Sequence, residues 1–179
     1  ATKCNTFFLR ISNSKHGEGF GLLLPVLKSR EQIMDMQENV LDGLVTVIES
    51  RDGSTGMHVL NSKKYVELML EYMLAHNLYP DIVTREYVDM VVSAATLHDI
   101  GKIAIPDAIL NKPGRYTEVD FQIMQSHPVY GQTIIQRIFK DNPNTKLTQI
   151  VEDVVYYHHE RYDGKGYPVG LAGDNIPFS

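Results

Sequence analysis

The chain has 179 residues, of which 43% are hydrophobic and 22% charged, and it carries a formal net charge of −5. That length and balance fit one soluble globular domain with, at most, a fragment of a second. The acidic balance argues against broad binding to a nucleic-acid polymer or an anionic membrane, which calls for a basic surface, yet it leaves room for a small anionic substrate whose charge is met locally by bound divalent metals.

In chain order, residues 1–28 read differently from the rest. Thr6–Ile11 could form a strand, and His16-Gly-Glu-Gly-Phe-Gly21 is a turn-rich loop whose glycine spacing matches neither a phosphate-binding loop nor a dinucleotide fingerprint. The segment reads as a linker or the remnant of an upstream domain, and a first residue other than Met agrees with a chain that begins inside a longer protein. Cys4 is the only cysteine, which rules out an internal disulfide and suits a reducing, cytoplasmic compartment. The apolar run Phe20–Leu27 contains Gly21 and Pro25 and is far too short to span a bilayer, and the first residues lack the progression of a signal peptide.

The second unit, 29–179, begins where the pattern turns helical. Ile33, Met36, Val40, Leu44, Val47 and Ile48 recur at three- and four-residue spacing behind a Ser29 cap, until Arg51-Asp-Gly-Ser-Thr-Gly56 breaks the helix. A second helix is predicted from about Met57 to about His76, and Thr84 caps a third that ends near His98. Pro106, Pro113 and Gly114 predict a loop after Gly101-Lys102. Thr117-Glu-Val-Asp120 has the form of a capping box with Asp in place of Glu, and opens a short helix. Pro128 suits the first turn of the next, which runs to about Lys140. Asp141–Asn144 is a turn, a last long helix spans about Thr145 to His159, and the glycines and prolines of Gly164–Ser179 make that tail a loop. With no convincing alternating run and no repeat, the class is all-α.

Five of the seven histidines stand at positions with chemistry: His58, His98 beside Asp99, His127, and the pair His158-His159. On the second helix, His58 shares the line His58, Ser62, Tyr65, Met69, Tyr72, which is expected to face inward; taken alone, a histidine there is more often a hydrogen-bonded core residue. His98 stands one turn beyond Val91, Ala94 and Ala95. Asp99 follows it, and a buried carboxylate is costly unless it is paired or binds a metal; an Asp99–Lys102 ion pair would meet the same need. His158 and His159 lie four residues beyond Val154 and Val155 on the stripe Leu147, Ile150, Val151, Val154, Val155, so both sit at its inward edge, where they need partners. His127 marks a helix junction before Pro128, with Gly131 one turn on leaving room beside it; alone it would also serve as an N-cap-like residue. Imidazole and carboxylate are the donors that hold hydrolytic transition metals, and this set is too large for one tetrahedral zinc. Two metals can clamp both the attacking and the leaving oxygen of a phosphate ester. His16 and His76 match no motif and read as surface histidines.

Taken together and in order, His98-Asp99-Ile-Gly-Lys102, His127-Pro-Val-Tyr-Gly131 and His158-His-Glu-Arg-Tyr-Asp-Gly-Lys-Gly-Tyr-Pro168 resemble the HDxGK, HxxxG and HHE…DGxGYP elements of the HD-GYP family, the bacterial cyclic di-GMP phosphodiesterases. The likeness covers roughly Gln32 to Phe178. It implies an HD-domain helical bundle with a C-terminal GYP loop. It implies that His58, His98, Asp99, His127, His158 and His159 ligate two divalent transition metals, iron or manganese, with Asp99 bridging them. Asp99 and Lys102 would then be catalytic, with the Lys102 ammonium on a substrate phosphate. Gly164, Gly166, Tyr167 and Pro168 would shape a loop for the substrate and for GGDEF-type partner domains. Some members carry a glutamate four residues before the first ligand histidine, which supports a third metal; Ser54 stands there, so two metals are expected. The family also has a further metal-binding aspartate and a basic stretch downstream of the GYP loop. The chain ends at Ser179, before both, so the C-terminal part of the domain is expected to be missing. The implied reaction is hydrolysis of cyclic di-GMP to pGpG or GMP. The alternatives are an HD phosphohydrolase for another nucleotide and a non-catalytic module that binds a cyclic dinucleotide or a partner.

Overall fold

Val45 and Ile48 are three residues apart, so a helix puts them on one face, and they are the buried residues of the first described helix, α1 (residues 43–51). A computed structural model describes residues 40, 43–51 and 57–179. Thr6–Ile11, His16, Ser54 and the helix start expected at Ser29 lie outside the described residues. Of the residues that set the helical spacing, Leu44 and Val47 are exposed and Ile48 is buried.

Helix α2 (Met57–Ala75) shows the same rotation of face. Tyr65, Met69 and Tyr72, expected to point inward with His58, are exposed, and so is His58; Val59 and Leu70 are buried instead. The reason lies in the helix itself. It carries apolar side chains along two lines, one through Val59, Val66 and Leu70 and one through Tyr65, Leu68 and Tyr72, so periodicity alone could not choose between them. Packing against the next helix did. The end of α2 is set locally: Leu78 N–H donates to Met73 O at 2.9 Å and Asn77 N–H to Leu74 O at 3.2 Å, with Asn77 at φ 54°. This is the left-handed stop that Asn tolerates better than most side chains.

Helix α3 (Arg85–Ala95) starts where Thr84 Oγ1 accepts the Tyr87 N–H at 3.2 Å, and it buries Val88, Val91 and Ala94. It ends at Ala95, one turn short of the expected His98. The segment predicted as loop then contains a 3-10 turn, Ile100–Ala104, and a single helical turn, α4 (Asp107–Leu110), which Pro106 opens as N-cap. The capping box forms as expected at α5 (Glu118–Met124), with Asp120 N–H donating to Thr117 Oγ1 and Thr117 N–H to Asp120 Oδ2. Helix α6 (His127–Ile138) has Pro128 in its first turn, and α7 (Thr145–Tyr157) is capped by Asn144. The predicted stripe of α7 is the buried one: Ile150, Val151, Val154 and Val155 lie between α3 and α6.

Ala94, Ile135 and Val155 are fully enclosed and mark the centre of the unit formed by residues 44–179. Deleting a methyl group from such a site costs about 0.5–1.5 kcal/mol, and cutting Ile to Ala about 2–5 kcal/mol. Among the described residues there is no strand; one antiparallel bridge, Asp163 to Ala172, closes the loop after α7. No described helix is long and apolar enough to cross a membrane.

Candidate metal centre

The end of α3, the start of α6 and the end of α7 meet at one point, and glycine makes the meeting possible. A Cβ on Gly101 would stand 1.9 Å from the His127 carbonyl oxygen, and one on Gly131 would stand 2.6 Å from the Val155 side chain. No side chain fits at either position, so the 3-10 turn carrying Asp99–Lys102 lies directly against the turn carrying His127. Gly131 thus makes room for α7 and for Gly101, not for the His127 ring.

Asp99 is the hinge of the cluster. Its Oδ2 lies 3.1 Å from His98 Nε2 and 2.9 Å from Lys102 Nζ; its Oδ1 lies 3.3 Å from His127 Nε2 and 3.7 Å from His158 Nε2. Two groups of donor atoms result, and Asp99 belongs to both. His58, His98 and Asp99 converge within 4.8 Å of one another, as do Asp99, His127, His158 and His159. The sequence-predicted ligands are therefore brought together, including His58 despite its exposed position.

The backbone dictates which nitrogen each imidazole presents. His98 Nδ1 lies 2.7 Å from Ala95 O, His127 Nδ1 2.8 Å from Met124 O and His158 Nδ1 3.1 Å from Val155 O. A carbonyl oxygen only accepts, so each Nδ1 carries the hydrogen and each neutral ring turns the lone pair of Nε2 toward the cluster. His127 Nε2 and His158 Nε2 are then 3.1 Å apart with lone pairs facing one another. That arrangement is repulsive unless a cation lies between them, and it is the structural observation that fits this donor set to a divalent metal.

The titration behaviour follows from the same surroundings. Burial holds His127 down to about 4, against the pull of its Met124 hydrogen bond and the Asp99 charge. Burial and the neighbouring His158 and His127 hold His159 down to about 3. Both rings are therefore neutral, ligand-ready bases at ordinary pH. Burial opposes ionisation of Asp99, but hydrogen bonds from His158 and His98, which those rings donate through Nε2 when they carry a second proton, and the Lys102 charge outweigh it and hold the carboxyl far below the usual carboxylate range. His98 shifts the other way: burial opposes its protonation, and the hydrogen bond and charge of Asp99 overcome it.

The loop after α7 grips His159 from outside. Tyr167 stacks on its ring, with centroids 4.5 Å apart and an interplanar angle of 21°, and the Tyr167 N–H donates to His159 O at 3.2 Å. Burial, with the Asp99 charge, raises the Tyr167 hydroxyl to about 12. A Cβ on Gly166 would stand 2.4 Å from Arg161 N and 2.5 Å from His159 O, so this glycine packs on the ligand's own backbone. Gly164 turns the chain at φ +70°, and Pro168 follows Tyr167 through a cis peptide bond. Glu160, left without a role by sequence reasoning, is the loop's anchor: its carboxylate accepts the N–H groups of Val169, Gly170 and Leu171 at 2.7, 3.0 and 2.8 Å. The available signal was an acid beside a ligand histidine, followed by a Gly-rich loop with backbone donors to satisfy. His76, in contrast, is exposed, stacked on Tyr72 and bonded to Tyr72 O, far from this chemistry in role as expected.

The profile of the HD domain family matches residues 58–179. Over 155 residues, 86% of the chain, it is 37% identical to a probable cyclic di-GMP phosphodiesterase of Vibrio cholerae. It is 40% identical over 139 residues, 77% of the chain, to a cyclic di-GMP phosphodiesterase of Pseudomonas aeruginosa. It is also 36% identical over 159 residues, 89% of the chain, to a 3′3′-cGAMP-specific phosphodiesterase of Vibrio cholerae. The matches take up 35%, 30% and 28% of those relatives' lengths, so the chain spans about a third of each.

Proposed function

Because the chain belongs to the HD-domain family, in its HD-GYP branch, we propose that it is a metal-dependent phosphodiesterase that hydrolyses cyclic di-GMP to linear pGpG or GMP. The observation that carries this reading is Asp99, whose two oxygens face two different sets of imidazoles. A carboxylate so placed would be shared by two ions. His58 and His98 complete one set, and His127, His158 and His159 the other. A nitrogen-rich set without thiolate favours iron or manganese over a structural zinc.

When bound, the metals supply Lewis-acid activation of water and neutralise charge on the phosphate. The protein's residues do the rest. The carbonyls of Ala95, Met124 and Val155 hold three rings in the tautomer that ligates. The half-buried setting of His98, Asp99, Lys102, His158 and His159 around the buried His127 limits their contact with water, which strengthens the charge interactions among them. Lys102 swings its ammonium from Asp99 to an equatorial phosphate oxygen as charge builds there. Tyr167, with Gly164, Gly166 and Pro168, forms the wall of the loop beside His159 and borders the substrate. The exposed side chains of Tyr162 and Val169 on that loop offer a surface to GGDEF-type partner domains. A substrate of this class suits a cytoplasmic protein.

A second reading keeps the chemistry and changes the dinucleotide. The relative specific for 3′3′-cGAMP is as similar to the chain as those named for cyclic di-GMP. The test is product analysis by chromatography with the manganese- or iron-loaded protein on cyclic di-GMP, 3′3′-cGAMP and pGpG. Consumption of cyclic di-GMP with pGpG or GMP formed supports the proposal. Turnover of 3′3′-cGAMP alone selects the second reading. No turnover by a metal-loaded protein overturns both and leaves a binding module.

A further inference from the structure

The last turn of α1 touches both walls of the metal centre without supplying a ligand. Glu49 Oε1 accepts the Val59 N–H at 3.1 Å, so a carboxylate from α1 caps the first turn of α2 at the residue after His58. Two residues on, Arg51 reaches the opposite wall. Its Nε and Nη2 bind Asp107 Oδ1 at 3.2 and 2.7 Å, Nη1 donates to Ile103 O at 3.0 Å and Nη2 to Ile105 O at 3.3 Å. Asn111 Nδ2 donates in return to Arg51 O at 2.8 Å. Ile103 follows Lys102 directly, in the 3-10 turn that Asp99 opens. Glu49, His58, Val59, Asp99 and Lys102 line one cavity.

His98, His127 and His158 are held through their own Nδ1 atoms, whereas His58 is the exposed member of the set and stands on a helix start that Glu49 caps. We propose that Glu49 and Arg51 are positioning residues: together they fix the span between His58 and the His98–Asp99 pair, and so the affinity of the ion held there. The inference rests on the assignment of His58 as a ligand. A fork of four guanidinium bonds to one rigid segment is a geometric constraint as well as an attraction, and a lysine cannot reproduce it.

The test is manganese titration of the full chain by calorimetry, with the melting temperature of the metal-free protein alongside. The unsubstituted chain should bind two ions. Glu49→Ala should weaken one binding step roughly 10–100-fold, the scale of losing a partner that orients a metal ligand, and leave the other step unchanged. Glu49→Gln keeps an acceptor for the Val59 N–H and should recover most of the affinity. In a His58→Ala background, Glu49→Ala should add no further loss. Arg51→Lys, which keeps the charge and loses the fork, should weaken the same step, and it answers in place of Glu49→Ala if that variant does not fold. Equal weakening of both steps, no weakening of either, a Gln variant as poor as the Ala variant, or a single ion in the unsubstituted chain would each overturn the proposal. Hydrolysis is not read, so a chain that binds two ions as described yet turns nothing over refutes the proposed activity and leaves this inference standing.

Discussion

At the residue scale, Asp99 is the one residue, among those described, that belongs to both groups of converging donor atoms. Replacing it with Ala should remove at least one metal and lower turnover of the cyclic dinucleotide more than 100-fold, because both ions lose a ligand at once; the readouts are metal content by elemental analysis and rate. The exposed His76→Ala should change neither. An Asp99 variant with full metal and full rate would refute the bridging role. Lys102 separates differently. In the metal-free protein its ammonium rests on Asp99 Oδ2, so it holds the carboxylate ionised until metal arrives. Lys102→Ala should leave two metals bound and lower the rate about 100-fold or more, the scale of ~2.7–4 kcal/mol for losing one donor to the transition state. A variant that is metal-poor and destabilised would assign Lys102 a structural role instead. Of the residues that converge, His98, Asp99, His127, His158 and His159 sit in short motifs that the sequence displays, whereas His58 stands alone at a helix start. Glu49 has no such mark, because it bonds a backbone group that the fold brings to it, and Glu160 has only its place between a motif histidine and a Gly-rich loop.

Among the elements, the loop after α7 matters most to the centre. Three N–H groups converge on one carboxylate, and a charged acceptor makes each bond stronger than a neutral one. Glu160→Ala should therefore release the loop that stacks Tyr167 on His159, weaken metal binding at the His127–His158–His159 set by about 10–100-fold and lower the melting temperature. Manganese titration checks the first effect and calorimetric melting the second; a variant with unchanged metal affinity would show that the loop does not steer His159. The elements also show where periodicity succeeds. Helix α7 has one apolar stripe, and that stripe is buried. Helix α2 has two, and only contact with α3 selects Val59 and Leu70 over Tyr65 and Tyr72.

For the whole molecule, the cluster links stability to pH. His127 and His159 ordinarily titrate near 6.5 but are held to about 4 and about 3 in the fold. Between those values the unfolded chain binds more protons than the folded one, so stability rises with pH across the window and falls on acidification. Asp99, depressed in the fold, adds a further loss as the pH drops below the usual carboxylate range, while His98, raised in the fold, opposes the trend. The metal-free protein should thus show a falling melting temperature from about pH 6.5 to pH 4, and His159→Gln should flatten that slope. A melting temperature that is level or rises on acidification would contradict the assignment. Much of this molecule follows from the sequence by itself: the all-α class, the caps at Thr84 and Thr117, and the likeness that points to an HD domain. Those are short-range features, written in spacings of three or four residues or in contiguous motifs. The tertiary structure decided the rest: the buried face of α2, the helical turns between Ile100 and Leu110, the two directions of the Asp99 carboxylate, and the grip of Glu160 and Glu49 on backbone nine to eleven residues further along the chain. Each of these depends on atoms far apart in the chain, whose meeting is set by packing against Ile135, Val151 and Val155 and by the space left at Gly101, and no local pattern encodes such a meeting.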